Sequence, residues 1–145
     1  MPGVITGKHI LWDVSLVVNA IDLSNRVESI TFLEMNTNKQ DGAAMGDIQD
    51  YSIPGTISIT DPVVTFYQDF AASKIYPTLY TAWVARTQFD VVGKASSGAK
   101  STTNPEWTLP SSFVAKAPAM TGDRGARHMA PCTFGVGGTL TVSTA

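Results

Sequence analysis

Two-residue alternation of apolar and polar positions dominates the chain. In "HILWDVSLVVNA", Ile10, Trp12, Val14, Leu16 and Val18 alternate with His9, Leu11, Asp13, Ser15 and Val17. One face of the predicted strand is wholly apolar and the other is mixed. Asn19 and Ala20 predict a tight reversal, and "DLSNR" adds a second group of turn formers. "RVESITFLEM" reads as the partner strand. Val27, Ser29, Thr31, Leu33 and Met35 share one face, Glu28, Ile30, Phe32 and Glu34 the other. Neither face is purely polar, which is unexpected for the solvent side of a monomer.

Residues 36–55, "NTNKQDGAAMGDIQDYSIPG", then show no strong period. Loops of this length are uncommon in compact domains and are either functional or disordered. Met45, Ile48, Tyr51 and Ile53 are apolar groups that a solvated loop does not need, so two readings stand: an arm that orders against something, or a floppy surface loop. In "GTISITDPVVTFYQDF", Ile57 and Ile59 point one way, and Thr56, Ser58 and Thr60 form a short hydroxyl face opposite. Pro62 cannot donate to a ladder and marks a break between two strands.

"SKIYPTLYTAWVA" is the one good helix candidate, with Ile75, Leu79 and either Ala82 or Trp83 on a stripe. Pro77 is tolerable if Ser73 is the N-cap, because the first backbone donors of a helix have no partner to lose. Further strands follow in "TQFDVVGKA", in "EWTLPSSFVAK" after a polar loop closed by Asn104-Pro105, in "GARHMAPCTF" and in "TLTVS". The last two are joined across the glycine-rich reversal "GVGG". Seven to nine strands and one helix, without a βαβ rhythm, predict a mainly β fold: an antiparallel sandwich or barrel with one flanking α-helix. Residues 1–145 form a single domain, with the long loop or arm at about 36–55.

Charged residues make up only 15% of the 145 and hydrophobic ones 43%, a composition that leans towards assembly. A net charge of −2 excludes a protein that grips nucleic acid through clustered Lys and Arg. The single Cys132 rules out an internal disulfide and a cysteine-based zinc site. No segment has the length and apolarity of a membrane span, and the N-terminus lacks the pattern of a signal peptide, so synthesis in a cytosol is the default.

"TGDRGARHM", residues 121–129, gathers the densest chemistry. Its glycines are two residues apart, no Walker lysine follows, and the downstream pattern is a strand, so it reads as a turn rather than a phosphate loop. His9 and His128 have no zinc-motif spacing. His128 and Cys132 are four residues apart, about 13 Å along a strand and out of hydrogen-bond reach. Cys132 is better read as a buried structural thiol. The carboxylates are scattered, and Trp12, Trp83 and Trp107 read as core or interface. No catalytic, cofactor or metal site emerges.

The order of these features resembles the tail tube proteins of long-tailed, non-contractile bacteriophages. The resemblance rests on Asp22-Leu23-Ser24 before a strand, the long loop ending at Pro54-Gly55, and "TISIT…FYQDFAA" leading into the helix. Asn104-Pro105 before a strand and "APAMTGDRGARHMAPCTFGVGG" before the last one complete it. It implies a structural virion protein without enzymatic activity, made in the host cytoplasm. Rings of six copies would join their strands into a continuous barrel and stack into a hollow tube for DNA. The arm (Met45, Ile48, Tyr51, Ile53) would contact the next ring, and Thr56, Ser58 and Thr60 would face the channel. Arg124, Arg127 and His128 would meet a neighbour's carboxylates at a subunit seam. Partners implied are further copies of the chain and the tape-measure and tail terminator proteins; DNA passes without sequence-specific binding. The alternatives are another small virion component, such as a head–tail completion or capsid decoration protein, or a β-sandwich ligand-binding module.

Overall fold

The computed structural model describes residues 14–46, 48–96 and 98–144. Residues 9–13 of the first expected strand, with His9 and Trp12, lie outside the described residues, as does Asp47. From Val14 onward the alternation holds: Leu16 and Val18 of β1 (Ser15–Val18) are fully buried. The chain reverses through Asn19 and Ala20, at φ 50° and 61°, into β2 (Ile21–Asp22). Two left-handed residues supply the twist that a two-residue hairpin needs. The second turn group becomes a 3₁₀ turn over Ser24–Arg26. Ser24 Oγ donates to the Asp22 carboxylate and accepts the Leu16 N–H at 2.8 Å. These bonds hold the Asp22 carboxyl below the usual range.

β3 (Val27–Thr31) is shorter than "RVESITFLEM" suggests. Leu33 takes φ 67°, uncommon outside glycine, and turns the chain out of the sheet. β4 (Met35–Asp41) and β5 (Ser52–Ile59) follow. Half of the stretch expected to be an aperiodic loop is therefore strand. Pro62 separates β5 from β6 (Val63–Tyr67), as its missing donor requires.

α1 (Ile75–Ala85) starts later than expected: Lys74, not Ser73, is its N-cap, and no side chain caps it. Pro77 is then the third helical residue, still inside the first turn where no intrahelical bond is lost. Ile75, Leu79 and Ala82 are buried, while Trp83 faces out. At the other end Arg86 is left-handed (φ 54°), its N–H meeting Trp83 O at 3.2 Å while the Thr87 N–H meets Ala82 O at 3.1 Å. These two bonds satisfy two of the carbonyls in the last turn of the helix.

β7 (Phe89–Lys94), β8 (Glu106–Lys116), β9 (Met129–Gly135) and β10 (Thr141–Ser143) complete ten strands among the described residues. The main sheet is antiparallel, in the order β2-β1-β7-β8-β9-β6-β3. β8 is its corner. Residues up to Leu109 pair with β10 and most of β7, while residues from Phe113 pair with β9. Ser111 (φ 55°) makes the bend, and Ser112 Oγ donates to Leu109 O at 3.0 Å. Curling the sheet at this point surrounds one core, where Val64, Phe66, Val91, Leu109 and Phe134 meet the buried face of α1.

The last strand departs from expectation. β10 pairs with β8 and not with β9, so "GVGG" is a crossover and not a hairpin turn. Its glycines pass directly over the bend. A Cβ on Gly137 would collide with the Ser111 carbonyl oxygen, and one on Gly138 would lie 2.6 Å from the Pro110 carbonyl oxygen. Only glycine permits that approach.

Candidate assembly surface

β4 and β5 pair with each other and, among the described residues, with no strand of the main sheet. A hairpin of two strands is marginal in water on its own. The register sets Met35 opposite Ile59, Asn36 opposite Ser58 and Thr37 opposite Ile57, then shifts at a bulge so that Gln40 faces Ile53. Because side chains alternate across a strand, the two faces differ sharply. One face carries Met35, Thr37, Ile57 and Ile59; past the bulge the alternation of β5 is offset, so Ile53 and Tyr51, whose side chains both occupy the space a Cβ on Gly42 would need, lie on the side of Gln40. The other carries Asn36, Asn38, Thr56, Ser58 and Thr60.

The apolar face is largely uncovered. Ile57 is 71% exposed and Met35 about half, and only Ile59 packs partly against the core. At its base the face opens into a groove of about 570 Å³ shared with Val136 and Leu140. A contiguous exposed apolar surface of this kind marks an interaction site. At the hairpin's end Met45 and Ile48 are fully exposed. Of the expected arm residues, Tyr51 and Ile53 are thus joined on one face, and Met45 and Ile48 stand apart at the tip.

The polar face is internally bonded. Asn38 Nδ2 donates to Thr56 Oγ1 at 2.9 Å and Asn36 Nδ2 to Thr60 Oγ1 at 3.5 Å. Thr56, Ser58 and Thr60 do share one exposed face, and facing amides of β4 join them. Such a surface offers dipoles without net charge.

"TGDRGARHM" is a turn: the Ala126 N–H meets Asp123 O at 3.0 Å, and Thr121 pairs with Met129. Arg124, Arg127 and His128 are exposed on it. The Arg127 guanidinium sits 4.1 Å from the centre of the Tyr67 ring, which ties the turn to β6. Among the described residues none of the three forms an ion pair with a carboxylate. Cys132 is fully buried, donates from Sγ to Lys116 O at 3.3 Å, and is pushed up to about 12 by desolvation. Among the described residues no group of His, Cys, Asp and Glu could hold a metal ion, and no helix is long and apolar enough to cross a membrane.

A feature missed in the sequence runs along the outside of α1. Phe70, Tyr76, Tyr80 and Trp83 form a ladder with ring centres 5.2, 4.9 and 5.8 Å apart. The 76–80–83 spacing is a helical stripe and was its legible signal.

An antiparallel, mainly β domain with one flanking helix, a corner strand and a free hairpin is a phage-tail-tube-like fold. Among the solved structures on which the chain superposes are the following three. The PVC sheath/tube terminator of an extracellular contractile injection system matches at a TM-score of 0.72 and 9% identity, over 97% of this chain and 99% of that one. The tube-terminating cap of the anti-feeding prophage matches at 0.70 and 10%, over 100% and 97%. Hcp1 from Flavobacterium johnsoniae matches at 0.59 and 12%, over 92% and 97%. At these identities the likeness is one of fold. No protein-family model and no curated protein matches the chain.

Proposed function

We propose that this chain is a structural subunit that self-associates into rings and stacks them into the hollow tube of a phage-like tail. The carrying observation is the hairpin: an ordered, two-faced arm whose apolar side is largely uncovered within one copy. Neighbouring copies are its natural cover, and the fold likeness to tube-type proteins supports this. The domain itself acts by shape and has no enzymatic role. Six copies to a ring, and strands joined into a continuous barrel, are the narrower form of the proposal.

The bonded amide and hydroxyl face of the hairpin suits a channel wall. DNA held by counterion release would stick to a basic lining; uncharged dipoles let it slide. We assign Thr56, Ser58 and Thr60, with Asn36 and Asn38, to that lining, and Arg124 and His128 to the seam between copies. Tape-measure and terminator proteins are the partners such a tube needs, and the virion is its place.

The non-contractile tail rests on the sequence resemblance, whereas the structural neighbours come from contractile systems. Two of those neighbours are terminators, which favours a second reading: a subunit that forms one ring closing a tube's end. Negative-stain microscopy of the purified protein at increasing concentration separates these. Stacked tubes support the tube subunit, single rings the terminator, and a persistent monomer refutes both.

A further inference from the structure

The end of the hairpin has a matching receptor elsewhere on the domain. Between the last turn of α1 and the second half of β8 lies a groove of about 710 Å³, lined by Trp83, Val84, Arg86, Gln88, Phe113 and Val114. Trp83, Val84 and Phe113 are 42%, 59% and 39% exposed, so apolar side chains wait there uncovered. We propose that this groove receives the hairpin end of a second copy, with Met45 and Ile48 inserted against Trp83, Val84 and Phe113. The proposal rests on the self-association argued above and names the contact that carries it.

Three observations select this occupant. Met45 and Ile48 are fully exposed apolar side chains on a projecting turn, the shape a groove accepts. Charge is complementary: residues 41–51 carry Asp41, Asp47 and Asp50 and no cation, while Arg86 is the one charged residue lining the groove. Neither the Arg86 guanidinium nor the Asp50 carboxylate has a partner among the described residues. Arg86 also occupies a left-handed position that glycine fills with less strain. Because knob and groove are different patches, the contact is head-to-tail: it closes into a ring or runs on as a stack.

Cross-linking between separately made variants tests this directly. Ile48→Cys and Val84→Cys each place a thiol on an exposed site, while Cys132, buried and protonated, does not compete. Mixed at an assembling concentration and oxidised, the two should give a disulfide-linked heterodimer that neither gives alone in comparable yield. An assembled mixture without that heterodimer overturns the groove assignment and leaves self-association standing; a different protein in the groove would produce this result. A wild-type chain that never assembles overturns both. Charge reversal gives an independent arm. Arg86→Glu and Asp50→Arg should each raise the concentration needed for assembly about threefold or more at low salt, and the double variant should recover most of it. Failure of the double variant to recover removes the Asp50–Arg86 pairing and with it the proposed seating of the tip.

Discussion

Ile57→Ser isolates the hairpin's apolar face from the stability of the domain. Ile57 is 71% exposed in one copy, so its removal costs the monomer little. A surface substitution of this kind shifts folding by roughly 0.5 kcal/mol or less. For a chain of this size that is a melting shift of about 1–2 °C. In the assembly the same side chain becomes buried. Complete burial of an isoleucine is worth about 1.5–3 kcal/mol. The still-exposed share of Ile57 therefore corresponds to about 1–2 kcal/mol per contact, or about a 5- to 30-fold change in association constant. A pelleting assay across protein concentrations reads that factor as the rise in the threshold for assembly, and a thermal melt of the dilute protein reads the monomer. A threshold that stays put shows that the face is not an interface. A melting point lower by many degrees shows instead that Ile57 is needed inside its own copy.

Two other outcomes follow from the fold. Gly137→Ala drives a methyl group into the Ser111 carbonyl, so β10 must lift off the β8 corner. Overpacking of this kind costs about 1–3 kcal/mol, read as a lower denaturation midpoint, whereas alanine at the open position Gly46 leaves β10 untouched. The acid limb of stability is set in part by Asp69. Its carboxyl is held below the usual range by the Ala71 N–H and by Arg26, whose Nε lies 2.8 Å away. A lowered carboxyl contributes stability that is complete above its unfolded value of about 4 and is lost as pH falls below it. Asp69→Asn should therefore melt lower than wild type at pH 7 and converge with it near pH 2. Equal melting at both pH values removes Asp69 from the account, leaving Asp22 as the other lowered carboxyl among the described residues.

Local pattern was enough for most of the domain. Period 2 around Leu16 and Val18, the Asn19–Ala20 reversal, the Pro62 break, the helix with Ile75 and Leu79 inside, and the single buried thiol all follow from backbone sterics and burial of apolar faces. Those forces act within a few residues, so the amino-acid order reveals them. The hairpin was half legible. Ile57 and Ile59 share a face by simple alternation, but the bulge beside Pro54-Gly55 offsets Ile53 and Tyr51 from them, and no local period reveals a bulge. What only the tertiary structure decided depends on distant partners. Ser111 sits beneath Gly137, so β10 returns to β8. The β8 corner joins one end of its strand to β7 and the other to β9. The groove at Trp83 and Phe113 exists because α1 ends beside that corner. Contacts between residues far apart in the chain carry no period of their own, and they determine which apolar faces one copy leaves for another to cover.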